Sequence, residues 1–113
     1  MEKNKPINKP TNQTELSAFA KNDLNEIWEY IQQDNSEYAD NLIKEFLQKF
    51  KMLAENPKLG KAQDRYFLNL RSFPYKKFII FYVPTENGIE IFRVIHSSRN
   101  IKGLFDEFFE NLK

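Results

Sequence analysis

The chain has 113 residues, and its 17 Lys and Arg against 16 Asp and Glu give a net charge of +1. That length allows one domain with a single modest core, and 41% apolar with 29% charged residues is ordinary for a globular protein. The absence of cysteine excludes a disulfide framework and a thiolate metal site. Because no run reaches the roughly 18 apolar residues of a membrane span, and the N-terminus lacks the apolar stretch of a secretory signal, we expect a soluble cytoplasmic protein.

Charge is unevenly distributed along the chain. Residues 15–60 carry five Lys against nine Asp and Glu, a net −4, whereas residues 61–103 carry eight Lys and Arg against three acids, a net +5. A basic half can meet nucleic acid or an acidic protein surface, and the two halves can equally be solvated faces of opposite sign. Composition leaves these interpretations open.

The first 13 residues are predicted to form a flexible tail, because Pro6 and Pro10 stand among polar residues with almost nothing apolar to bury. Residues 14–16 are compatible with a short edge strand. The remainder of the chain, residues 14–113, is predicted to be a single domain.

Two helices separated by a short turn are predicted for residues 17–55. Ser17 and Ser36 stand at N-cap positions, and Pro57 with Gly60 ends the second helix. Apolar residues recur at helical spacing in both: Ala20, Leu24, Ile27, Trp28 and Ile31 in the first, and Ala39, Leu42, Ile43, Phe46, Leu47, Phe50 and Leu53 in the second. We expect an αα-hairpin with Trp28 as a core anchor and Asp23 on the solvent side with Glu26 and Glu29.

Strand patterns follow the helices. Residues 66–73, 76–83 and 89–97 are rich in aromatic and β-branched side chains. Pro74 is predicted to mark the first turn, and residues 84–88 the second, with Asn87-Gly88 supplying positive φ angles. The predicted fold class is α+β: an N-terminal helical hairpin packed on a small antiparallel sheet, in two layers.

A final amphipathic helix is predicted for residues 100–113. Its apolar stripe consists of Ile101, Leu104, Phe105, Phe108 and Leu112. Exposed phenylalanines invite aggregation, so we expect this helix to dock on the sheet of its own domain, although the stripe could also await a partner or a second protomer.

The last predicted strand ends in the histidine of the chain, His96. Because side chains alternate along a strand, Phe92, Val94 and His96 are expected on one face and Ile91, Arg93 and Ile95 on the other, in a central strand. One histidine without cysteine makes a poor metal site, and a strand-end histidine bonded to backbone is commoner than a catalytic one. The chain has neither a nucleophile elbow nor a phosphate-binding glycine loop, so we predict no metal and no cofactor.

Three arginines supply a second candidate site. Arg71, Arg93 and Arg99 could form a basic patch beside Tyr82. Guanidinium groups bind phosphates in bidentate fashion while an aromatic ring stacks a base, and the same groups can pair with a partner's carboxylates.

Five segments, in this order, resemble toxins of the ParE/RelE superfamily of bacterial type II toxin–antitoxin systems. The segments are Leu16-Ser17 with Ala20 and Asp23-Leu24; Ile27-Trp28-Glu29-Tyr30-Ile31; Leu53-Ala54-Glu55-Asn56-Pro57 with Leu59-Gly60; Leu70-Arg71-Ser72-Phe73 with Ile79-Ile80-Phe81-Tyr82; and Gly88-Ile89-Glu90-Ile91 with Arg93-Val94-Ile95-His96-Ser97-Ser98-Arg99. The resemblance covers roughly residues 14–105. It implies a helical hairpin against a sheet of about four strands, and a toxin that is neutralised by a cognate antitoxin, with a homodimer or a toxin–antitoxin hetero-oligomer as possible assemblies.

The resemblance leaves two mechanisms. ParE-like members act on DNA gyrase and are not enzymes, whereas RelE-like members cut mRNA on the ribosome. The ending His96-Ser97-Ser98-Arg99 is similar to the ParE-like pattern, although Asn100 replaces its acid, and no tyrosine follows Tyr82. We therefore expect a gyrase inhibitor. In the RelE-like alternative, a ribosome-dependent endoribonuclease, the candidate catalytic residues are Arg71, Tyr82, His96 and Arg99.

Overall fold

The computed structural model describes residues 12–112. Its elements, in chain order, are β1 (Gln13–Leu16), α1 (Ala18–Gln32), α2 (Ser36–Glu55), β2 (Lys61–Ala62), β3 (Arg71–Tyr75), β4 (Phe78–Pro84), β5 (Gly88–His96) and α3 (Ile101–Asn111). The predicted flexible tail falls outside the described residues up to residue 11, while Gln13 already belongs to β1. The predicted α+β fold, with its helical hairpin, sheet and C-terminal helix, is confirmed.

The five strands form one mixed sheet in the order β1-β5-β4-β3-β2. The predicted edge strand is confirmed as β1, which lies parallel to β5 with Leu16 opposite Ile91. The other pairs are antiparallel. The prediction of a wholly antiparallel sheet is therefore wrong. β1 and β5 can pair in parallel because they are remote in sequence and are joined by a crossover that includes the helical hairpin. β5 is interior, and β4 is the middle strand.

Gly88 is required by close packing, and not by the turn. Neither Asn87 nor Gly88 has a positive φ angle, so the predicted reason for Asn-Gly is wrong, although the loop between β4 and β5 forms where expected. A Cβ atom at Gly88 would lie 1.9 Å from the Gln13 carbonyl oxygen. A side chain there would push β1 away from β5.

β3 differs from the strand that was predicted for residues 66–73. β3 begins at Arg71, and residues 66–70 form turns in which Asn69 has a φ of 71°. The chain reverses at Lys76 (φ 54°) and not at Pro74, which lies inside β3 opposite Ile79. Pro74 is tolerated because β2 pairs only with Arg71 and Ser72, so its missing N–H removes no ladder bond.

The helices cover both faces of the sheet, so the domain has three layers and the two-layer prediction is wrong. The hairpin of α1 and α2 buries one core against the first face; its members include Phe46, Phe50, Leu53, Ile80 and Tyr82. On the second face α3 inserts Phe105 among Leu70, Phe81 and Ile95. Docking of α3 on its own domain is therefore confirmed, except that Leu112 is 67% exposed.

Two details of the helical hairpin also differ from prediction. Asn35, and not Ser36, is the N-cap of α2, since its side-chain oxygen accepts the Tyr38 N–H at 2.9 Å. Trp28 lies outside the core, partly buried at the seam between α1 and α2, where its indole Nε1 donates to Asp40 at 2.7 Å. Ser17 caps α1 as predicted. Within residues 12–112, no helix has the length and hydropathy required to cross a membrane.

Candidate functional site

A bulge in β5 decides which side chains reach each face of the sheet. Phe81 pairs with Arg93 and Tyr82 with Ile91, so Phe92 is an extra residue in the ladder. As a result Ile91 and Val94 lie in the same core under the helical hairpin, whereas Phe92 and Ile95 contact the side of α3. The predicted alternation through Phe92 is wrong, because the extra residue shifts the pleat by one.

Asp23 takes the place of a neighbouring strand at the edge of β5 beyond the end of β1. Its carboxylate accepts the Val94 backbone N–H at 2.9 Å and two hydrogen bonds from Arg93, from Nε at 2.8 Å and from Nη2 at 2.9 Å. Asp23 is only 6% exposed, so the prediction that it faces solvent is wrong. Its hydrogen bond raises the pKa of Arg93. One feature of the sequence does indicate that Asp23 is buried: it lies three residues after Ala20, on the apolar stripe of α1.

Arg71 and Tyr82 clamp the segment that follows α2. Arg71 Nη1 donates to the Gly60 carbonyl at 2.6 Å and the Lys58 carbonyl at 3.3 Å. The Tyr82 hydroxyl donates to the Pro57 carbonyl at 2.7 Å and accepts the Gly60 N–H at 2.8 Å, with no exposed surface. Both side chains hold main-chain groups in place at this end of the sheet.

His96 and Arg99 lie at the opposite end of β4. His96 is opposite Phe78, four residues along β4 from Tyr82, which corresponds to about 13 Å of strand. The structure thus brings Arg71 next to Tyr82 and His96 near Arg99, but it does not assemble the four in one place. Arg93, bound to Asp23, lines the same groove as Arg99, whereas Arg71 lies at the other end of the sheet, so the three arginines do not form a single patch.

The His96 ring is oriented by its neighbours. Nδ1 accepts the Ser98 backbone N–H at 3.1 Å and lies 2.8 Å from Ser98 Oγ. Because a backbone N–H only donates, Nδ1 is the acceptor, and the neutral ring carries its proton on Nε2. The ring edge also packs against Phe78 with centroids 5.3 Å apart.

A groove of about 740 Å³ lies between the end of the helical hairpin and the end of β5. We call it the β5-end groove; among its lining residues are Ile27, Tyr30, Ile31, Val94, His96 and Arg99. Its floor is apolar, with acidic Glu26 on the α1 side and Lys76 and Lys77 on the opposite side. Residues 12–112 contain no cluster of His, Asp and Glu that could hold a metal ion.

Comparison with known proteins places this architecture in a family. The sequence profile described as "ParE toxin of type II toxin-antitoxin system, parDE" matches residues 15–101. The chain belongs to the ParE toxin family. A curated relative, "Toxin ParE1" of Caulobacter vibrioides, is 32% identical over 88 residues, which is 77% of this chain and 91% of the relative. A solved structure described as "Chromosomal ParDE TA system from P. aeruginosa" superposes with a TM-score of 0.60 at 17% identity, covering 74% of this chain and 92% of that one. At that identity the likeness shows a shared fold.

The Tyr82 hydroxyl gives a direct test of its structural role in this ParE-family toxin. Tyr82→Phe removes the partner of both the Gly60 N–H and the Pro57 carbonyl, so we expect a loss of about 1–3 kcal/mol in the free energy of unfolding, measured by urea denaturation. Tyr30→Phe is the matched control, because Tyr30 is 76% exposed, and it should change stability by less than about 0.5 kcal/mol. Equal stability of the two variants would contradict the clamp.

The same variant should alter stability at alkaline pH. Burial raises the pKa of Tyr82 above its ordinary value of 10.0, so the folded state holds the phenolic proton more tightly than the unfolded state. The stability that the protonated Tyr82 hydroxyl gives the folded state is fully present below about pH 10. It is lost as the pH rises through the raised pKa of Tyr82 in the folded state. Tyr82→Phe should therefore lose less stability above pH 10 than the unmodified chain.

Proposed function

We propose that this ParE-family chain inhibits growth by contacting DNA gyrase and is held inactive by a cognate antitoxin. The observation that carries the proposal is the family match over residues 15–101, which includes the β5 ending His96-Ser97-Ser98-Arg99. The name of the curated relative, "Toxin ParE1", supports the toxin class. The similar solved structure is that of a ParDE system, which supports an antitoxin partner.

Inhibition by protein–protein contact, without chemistry, is supported by the positions of the ionisable residues. General acid–base catalysis on a ribose hydroxyl needs groups within hydrogen-bond reach of one substrate atom. Tyr82 is buried, and its hydroxyl is already bonded to Pro57 and Gly60. On β4 it lies four residues, about 13 Å, from Phe78, which is the residue opposite His96. These distances favour the gyrase proposal over an endoribonuclease that would use both residues together.

A supercoiling assay tests the proposal. Purified chain is titrated into gyrase, ATP and relaxed plasmid, and we expect supercoiling to be blocked once the toxin saturates the enzyme. The matched control is the same protein heated past its unfolding transition, which separates inhibition by the fold from nonspecific effects. Unchanged supercoiling at saturating, folded toxin would contradict the gyrase target.

A translation extract provides the opposing test. Under the proposal, mRNA in this extract stays intact when the toxin is added. Cleavage in the ribosomal A site that disappears in His96→Ala and Arg71→Ala would establish the nuclease mechanism in place of gyrase inhibition. Harmless over-expression of soluble protein would instead indicate a chain that keeps only the capacity to bind its antitoxin.

A further inference from the structure

Ser98 and His96 form a serine–imidazole pair after β5 that the proposed function does not use. The Ser98 Oγ atom lies 2.8 Å from His96 Nδ1, and the Ser98 backbone N–H donates to the same nitrogen at 3.1 Å. Because the backbone N–H makes Nδ1 an acceptor, the hydroxyl at this nitrogen can only be a donor. The hydroxyl proton of Ser98 is therefore directed at the lone pair of a neutral imidazole.

The contact between the Ser98 hydroxyl and the ring is not needed to orient the ring. The backbone N–H of Ser98 already fixes His96, and the ring edge packs against Phe78 with centroids 5.3 Å apart. What the hydroxyl contact does provide is a base within hydrogen-bond reach of a nucleophile. A hydroxyl bonded to an imidazole that is itself held in place is the arrangement that activates serine for attack on a carbonyl carbon.

Ser97 is a neighbouring serine without such activation. Its backbone N–H donates to the Lys77 carbonyl at 2.8 Å, and its hydroxyl makes no hydrogen bond within residues 12–112. Ser97 and Ser98 are both exposed, so a reagent in solution can reach either one. A difference in their reactivity therefore reports the effect of the imidazole, and not a difference in access.

Two cations stand beside the serine–imidazole pair. Arg99 follows Ser98 in the chain, and the main chain of Lys77 is held close by the hydrogen bond from Ser97. Both basic side chains are exposed, line the β5-end groove together with His96, and make no ion pair within residues 12–112. Positive charge near a nucleophile attracts an anionic donor and stabilises phosphate as it leaves. The site therefore favours acyl phosphates over neutral esters.

We propose that Ser98 is a modification site that accepts an acyl group from an acyl phosphate. The Ser98 Oγ atom attacks the carbonyl carbon of the donor while its proton passes to His96 Nδ1. The Oγ–C bond forms as the bond between the carbonyl carbon and the phosphate oxygen breaks, and phosphate departs with that electron pair. The imidazolium then returns its proton to solvent. The product is an ester on Ser98, and nothing is oxidised or reduced.

Acetyl phosphate is the probe. The full chain is incubated with it, digested with trypsin and analysed by mass spectrometry. Trypsin cleaves after Arg93 and Arg99, so the peptide of residues 94–99 contains both serines and no lysine. We expect this peptide to gain one acetyl group, located on Ser98 by fragmentation and removed by hydroxylamine, which cleaves esters and leaves lysine amides intact. An unmodified peptide, or equal acetylation of Ser97 and Ser98, would overturn the proposal.

Two variants separate activation from access. His96→Phe keeps a ring against Phe78 and removes the base, so acetylation of Ser98 should slow by about 100-fold, a usual contribution of a general base. Ser97→Ala is the matched control and should be acetylated at the rate of the unmodified chain. Both variants must retain its melting temperature. An unchanged rate in His96→Phe, or equal slowing in the two variants, would contradict the Ser98–His96 pair.

A third variant tests the class of donor. Lys77→Gln should slow the transfer from acetyl phosphate more than the transfer from p-nitrophenyl acetate, which is a neutral ester, because only the first donor is attracted by the lysine charge. An equal effect on both donors would contradict acyl phosphate as the donor. None of these readouts uses gyrase, so failure here leaves the proposed target untouched, and failure of the supercoiling assay leaves this site untouched.

Discussion

Asp23→Ala is expected to lower the free energy of unfolding by about 2–4 kcal/mol. The substitution removes the acceptor of the Arg93 guanidinium and of the Val94 N–H, which both donate to the Asp23 carboxylate at 2.8–2.9 Å. Removing one member of a buried ion pair costs about 3–5 kcal/mol, and we reduce that range because the Arg93 side chain is 22% exposed and solvent can reach it. Urea denaturation at neutral pH measures the change.

Two further variants separate the roles of Asp23. Asp23→Asn keeps a carbonyl oxygen for the Val94 N–H and loses only the charge, so it should destabilise less than Asp23→Ala. Glu29→Ala, on the exposed side of the same helix, should change stability by less than about 0.5 kcal/mol. If Asp23→Ala were as stable as Glu29→Ala, the carboxylate would not be holding the edge of β5.

Phe105→Ala is expected to cost about 3–5 kcal/mol, the usual penalty for removing a buried aromatic ring. Phe105 is 3% exposed; its ring stacks on Tyr66 at 4.5 Å between centroids and meets Phe81 edge-on at 5.1 Å. The loss should appear as a lower urea midpoint with a single cooperative transition, because α3 shares its core with the sheet.

The control for Phe105→Ala is a substitution at the C-terminal end of the same helix. Leu112→Ala removes an apolar side chain that is 67% exposed, so it should be nearly neutral. Truncation after Gly103 removes every residue of the docked stripe except Ile101 and should lower the melting temperature further, with aggregation as Phe92 becomes exposed. An unchanged melting temperature after truncation would show that α3 does not stabilise the domain.

Local patterns in the sequence were sufficient to predict the helices and the last hairpin. The 3.6-residue spacing from Ala20 to Ile31 and from Ala39 to Leu53 depends only on which face of each helix is apolar, and both helices form where expected. Ser17 could be identified as an N-cap because capping is decided within three residues. The five segments that resemble ParE and RelE toxins led to the right family for the same reason, since each is a short local signature.

Predictions that needed knowledge of distant neighbours failed. Pro74 was predicted to mark a turn because proline cannot donate to a ladder. In the structure β2 stops pairing at Ser72, so the Pro74 nitrogen faces no partner strand. Asp23 reads as a solvent residue until β5 places Arg93 and Val94 against it, 70 and 71 residues later in the chain. Gly88 reads as a turn glycine until β1 is found to pack on it. Each is a contact between segments far apart in sequence, and the spacing of residues within one segment does not identify the partner in the other.

The candidate site divides along the same line. By itself, the sequence determined that His96 ends the last strand and that Arg99 follows it, because both are properties of one short segment. Only the tertiary structure decided that Tyr82 and Arg71 hold the Pro57–Gly60 turn at the far end of the sheet, and that the bulge at Phe92 exchanges the faces of β5. One inserted residue reverses every side chain beyond it, and a hydrogen bond between distant segments has no period in sequence.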